Sequence, residues 1–119
     1  MRRAFLLGLL ALAACASPPA GMPRRFSGTF EFQFETASFR PDTGGERYWL
    51  AADGRVWRDV VAPIERSGAG PWGSVQLVIE GYLSVPGQYG HLGAYERELW
   101  VTRVIDAQLI TADGPPSGS

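Results

Sequence analysis

The densest run of chemistry-bearing side chains is Pro86-Gly87-Gln88-Tyr89-Gly90-His91-Leu92-Gly93-Ala94-Tyr95-Glu96-Arg97, which holds the chain's only histidine. An imidazole changes charge near neutral pH, phenols and a guanidinium donate hydrogen bonds, and glycines at three-residue spacing let backbone amides approach a ligand closely. Tyr89, His91, Tyr95 and Arg97 are therefore the candidate ligand-binding residues. The same residue types also lock loops by bonding backbone groups, and that structural role competes with binding for this segment. The stretch lacks Walker spacing and does not open a helix, which argues against a phosphate cradle.

No other grouping assembles a reaction centre. One histidine near Glu96 and Glu98 falls short of a metal-ligand set. No G-x-S-x-G elbow is present, and the only cysteine, Cys15, closes an apolar leader. Glu31 and Glu35 have the chemistry for glycoside hydrolysis, but carboxylates on an alternating strand ordinarily form a solvated face. The expectation is a chain that is not an enzyme, with no catalytic residue, no metal and no cofactor.

Aromatic residues are the remaining signal: Tyr48, Trp49, Trp57, Trp72, Tyr82, Tyr89, Tyr95 and Trp100. They serve either as a small core or as a stacking platform for a ligand. All eleven basic residues are Arg, against twelve acids. Removing Arg2 and Arg3 with a leader leaves nine against twelve, a side-chain balance of −3. A weakly acidic domain is poorly suited to nucleic acid, which requires a concentrated basic surface.

The leader itself reads Met1-Arg2-Arg3 and then an apolar run from Ala4 to Ala14, the pattern of a signal peptide and too short to span a bilayer. It ends in Leu12-Ala13-Ala14-Cys15, which resembles the lipobox of bacterial lipoproteins at all four positions. That resemblance implies cleavage before Cys15, acylation of its sulfur, and anchoring to the membrane through that lipid. Each buried methylene adds about 0.8 kcal/mol, so two or three acyl chains hold the protein in place. Ala16, where an inner-membrane sorting signal has Asp, resembles the Gram-negative pattern for the outer membrane facing the periplasm. The competing reading is a plain secretory signal with an incidental cysteine.

Positioning the candidate loop falls to a single small domain. Residues 1–14 read as signal peptide, 15–24 as a proline-containing tether, 25–110 as the folded unit and 111–119 as a tail. A hydrophobic content of 45% with 15 Gly and 9 Pro fits a turn-rich, mainly β domain. Phe26–Glu35 alternates at period two, with Phe30, Phe32 and Phe34 on one side; Arg47–Ala51 resumes the alternation after a turn, and the two runs are expected to pair as a hairpin. Val56, Trp57, Val60, Val61 and Ile64 recur at helical spacing, and Pro63 is expected to kink or end that helix near Ala62. Ser74–Ser84 is a long strand bent at Gly81, and Arg97–Ile105 is a last strand, apolar on both faces and therefore central or barrel-closing. A further short strand is allowed at Pro86–Tyr89. The expected architecture is a partly open OB-like five-stranded β-barrel with one short helix; an unrelated small barrel or an α+β sandwich is the alternative.

Phe34–Pro41, Tyr48-Trp49, Gly81–Ser84 and Pro86–Arg97 together resemble a group of small bacterial lipoproteins without an assigned activity. Members often carry a cysteine where Asp42 stands here, so a role for a second cysteine does not carry over. The chain is also distantly similar to the OB-like domain of the NlpE lipoproteins, without their paired cysteines. Neither resemblance implies a reaction. The expectation is a non-enzymatic cell-envelope lipoprotein that binds a protein or glycan partner, with a structural or quality-control lipoprotein as the first alternative and a cell-wall hydrolase as the second.

Overall fold

The computed structural model describes residues 22–111. Cys15, the expected signal peptide, most of the expected tether and the residues beyond Thr111 lie outside the described residues. Five strands and a helix follow: β1 (Arg24–Gln33), β2 (Thr36–Pro41), β3 (Tyr48–Ala52), α1 (Gly54–Ser67), β4 (Gly73–Leu83) and β5 (Glu98–Ile110), with a single 3₁₀ turn at His91–Gly93 before β5.

The phenylalanine alternation does build the first strand, but the strand stops at Gln33. Phe34 and Glu35 make a two-residue turn, Gln33 pairs with Thr36, and β2 runs back along β1 to Pro41. The hairpin partner of β1 is thus β2, and the Arg47–Ala51 run belongs to β3, which pairs with β2. Phe34 is consequently 73% exposed instead of sharing the face of Phe30 and Phe32. Glu35 takes up the reversal with a left-handed backbone, φ 59°. Such a backbone costs a non-glycine residue on the order of 1 kcal/mol, and because neither glycine nor asparagine stands there the sequence does not flag the turn.

Of the two expectations for Pro63, an end near Ala62 is overturned: the helix continues through Pro63 to Ser67. Asp53 caps its start by accepting the Val56 N–H at 3.1 Å, and Gly68, at φ 70°, ends it with its own N–H on the Glu65 carbonyl. Proline forfeits a single backbone bond there. Against that loss, Pro63 is buried along with Val60, Val61 and Ile64, and those three aliphatic residues join the core cluster of the barrel.

The strands join in the order β1-β2-β3-β5-β4 and close on β1, with β3 and β5 parallel and every other pair antiparallel. With the helix between β3 and β4, this is an OB-like barrel, closed and not partly open. Phe30, Phe39, Leu50, Val75, Leu77, Ile79, Leu99 and Val101 fill it. The bend foreseen at Gly81 coincides with register shifts between Val78 and Ile79 and between Glu80 and Gly81. A Cβ at Gly81 would overlap the Trp100 carbonyl, so only glycine lets the strands meet there. β5, expected to end at Ile105, extends to Ile110 because its later residues pair with β4 as far as Ser74. Pro86–Tyr89 forms no strand; Tyr89 only bridges Tyr95.

Candidate binding groove

The ladder between β2 and β3 is short. It consists of Phe39 opposite Tyr48 and Ser38 opposite Trp49, and then it stops. Continued at the same register, the next positions would be Ala37 with Leu50, Thr36 with Ala51 and Glu35 with Ala52. None of them continues the ladder, although Ala37 and Leu50 are buried at its end, Ala37 and Thr36 remain joined to β1, and Leu50, Ala51 and Ala52 to β5. All six line one cavity of about 350 Å³, together with Phe32, Gln33, Trp49, Trp57 and Trp72. The groove lies where the short β2–β3 ladder ends, on the surface of the closed barrel.

Its floor and sides are aromatic. Trp57, projecting from α1, meets the edge of Phe30 at 5.8 Å and of Phe32 at 5.2 Å, and Trp72 meets Phe32 at 5.0 Å. The inner members are held by the core, while Trp72 is 47% exposed. Graded burial of this kind gives rigid rings with an accessible face, the property a stacking site requires.

Two loops meet at the mouth. Glu35, in the β1–β2 turn, places Oε1 3.3 Å from Nε2 of His91 in the β4–β5 loop, with both side chains more than a third exposed. Among the described residues, the only non-glycine positions with left-handed backbone are Glu35 and Leu92. Their neighbourhood also exposes large apolar side chains, Phe34 at 73% and Leu92 at 89%.

The remaining sequence-nominated residues hold the β4–β5 loop together. Tyr89 and Tyr95 exchange backbone N–H donors at 2.8 and 3.1 Å, and the Tyr89 hydroxyl donates to the Val85 carbonyl at 2.9 Å. Arg97 donates Nη1 to the Ser84 carbonyl at 3.0 Å. Buried Ser84 accepts the Glu98 N–H at 2.8 Å and donates to Val85. Burial also pushes the Glu98 carboxyl above its ordinary pKa. Tyr95 sets its ring 5.3 Å from Trp49, and Gly90, at φ 71°, lies so close to that indole that a Cβ would fall inside it. The loop therefore buttresses Trp49, one wall of the groove, and His91 is its residue facing Glu35.

Glu31 and Glu35 do not converge as a carboxylate pair, since Glu31 faces Arg47 at 3.8 Å and Glu35 faces His91. A second hollow of about 450 Å³ lies among Glu46, Arg47, Ala94, Tyr95 and Glu96. Although larger, it is walled mainly by solvated charges of mixed sign, and we place the candidate site in the aromatic groove. Among the described residues no three His, Cys, Asp or Glu side chains group as metal ligands. Trp57 and Trp72 were visible in the sequence only as members of the aromatic set; nothing local marked them as neighbours. No protein-family profile matches the chain, and no curated protein or solved structure is similar enough to be matched to it.

Proposed function

We propose that the chain is a non-enzymatic envelope lipoprotein, anchored through lipid on Cys15, whose barrel binds a protein or glycan partner in the groove where the β2–β3 ladder ends. The observation that carries this reading is the groove itself: aromatic rings graded from buried to half-exposed on a rigid barrel, where the β2–β3 ladder ends. OB-like barrels use this strand pair and the two flanking loops to hold extended ligands. The reading of the β4–β5 loop as a binding site in its own right gives way to a supporting one, because Tyr89 and Arg97 spend their polar groups inside the loop.

The test is a titration of the full chain in detergent micelles with two probes, a random seven-residue peptide library and an N-acetylglucosamine pentamer. Binding by either, with shifts at the indoles of Trp49, Trp57 and Trp72 and a loss of about tenfold in Trp72→Ala, is the expected result. Indoles undisturbed by both probes would overturn the proposal.

A further inference from the structure

We infer that the groove holds a basic side chain of a protein partner, an arginine, between its indoles and the carboxylate of Glu35. This rests on the groove reading above and goes further, to the chemistry that selects the ligand. Trp49, Trp57 and Trp72, three of the chain's four tryptophans, line the cavity, and Glu35 is the one charged residue that does. No arginine lines it, and the chain has no lysine. The cavity thus joins electron-rich rings to a single negative charge, with no cation of its own to compete. Such a lining attracts a positive group and repels an acidic one.

Both parts are held in place without a ligand. Trp57 and Trp72 pack on Phe32 at 5.2 and 5.0 Å, and Gly90 backs the indole of Trp49. Glu35 is oriented by its 3.3 Å contact with Nε2 of His91, while its side chain stays 48% exposed. An imidazole is uncharged above its titration range, so at pH 8 it positions the carboxylate without neutralising it. A guanidinium uses rings and carboxylate together, because its plane stacks on an indole while its forked N–H groups donate to the carboxylate. The ammonium of lysine is a more strongly hydrated point charge with no plane to stack. A neutral sugar stacks on the rings but forms no ion pair with Glu35.

Titration of the full chain in detergent micelles at pH 8 with N-acetyl-arginine N-methylamide, set against its uncharged citrulline isostere, tests this. The arginine probe is expected to shift the indoles of Trp49, Trp57 and Trp72 together with the Glu35 side chain, and to bind about fivefold or more tightly than the citrulline probe. Glu35→Gln is expected to remove most of that difference while leaving the citrulline affinity within about twofold. Equal binding of the two probes to the unmutated protein, a difference that survives Glu35→Gln undiminished, or a lysine analogue that binds as tightly as arginine would overturn guanidinium recognition. If the N-acetylglucosamine pentamer shifts the indoles and the arginine probe does not, guanidinium recognition fails and the groove reading stands. If the arginine probe, the pentamer and the peptide library all leave the indoles undisturbed, both fail.

Discussion

Nε2 of His91 and Oε1 of Glu35 lie 3.3 Å apart, joining two loops separated by most of the barrel in sequence. Because both side chains are well exposed, the contact stabilises little by itself. His91→Ala is expected to change unfolding stability by about 0.5 kcal/mol or less, read as the midpoint of chemical denaturation. A loss above about 1 kcal/mol would mean that His91 has a structural role the exposed geometry does not give it.

Trp49 depends on Gly90. Gly90→Ala introduces a side chain at a left-handed position and against the indole, so it is expected to destabilise by about 1–3 kcal/mol and to loosen the groove wall. Denaturation together with the Trp49 indole resonance would measure both effects. An unchanged midpoint would show that the loop does not rest on Trp49.

Trp72 and Phe30 separate binding from folding. Trp72 is 47% exposed and Phe30 fully buried. Trp72→Ala is expected to cost about 1 kcal/mol or less of stability yet weaken the ligand, whereas Phe30→Ala should cost about 3–5 kcal/mol. Calorimetry of both variants is decisive; equal losses would place Trp72 in the core.

Glu98 supplies a pH dependence. Burial raises its carboxyl above the ordinary pKa, so the fold favours the protonated form. The resulting penalty is absent below the unfolded pKa and complete once pH has risen through the folded one. Glu98→Gln is therefore expected to stabilise the protein at neutral pH, by an amount that shrinks as pH falls through the carboxylate range. Denaturation midpoints at pH 7 and pH 4 would show it, and a variant less stable at pH 7 would contradict it.

Cys15→Ser is expected to abolish membrane retention and leave unprocessed precursor, as measured by fractionation and by the mass of the chain. Normal processing and membrane association of that variant would rule out the lipid anchor.

Much of the fold was legible because it follows local periodicity: the phenylalanine alternation in β1, the helical spacing from Val56 to Ile64, and the glycine that bends β4. β2 was not, because Ala37, Ser38 and Phe39 are buried in succession and show no alternation. Its preceding turn was hidden too, since Phe34-Glu35 carries no turn residue and relies on a left-handed glutamate. The helix outran Pro63 because tertiary burial offset a local penalty that sequence alone shows in isolation. The candidate loop was found, but the groove beside it was not. A groove made where a ladder ends depends on register between strands, and Trp57 and Trp72 meet Phe32 only through that closure.

Indole resonances of the full chain in detergent micelles, titrated with the seven-residue peptide library and with the N-acetylglucosamine pentamer, read the groove most directly. One of the probes is expected to shift Trp49, Trp57 and Trp72, and Trp72→Ala to weaken its binding by about tenfold. Indoles undisturbed by both probes, or shifts confined to residues around Glu46 and Glu96, would contradict the aromatic groove as the binding site.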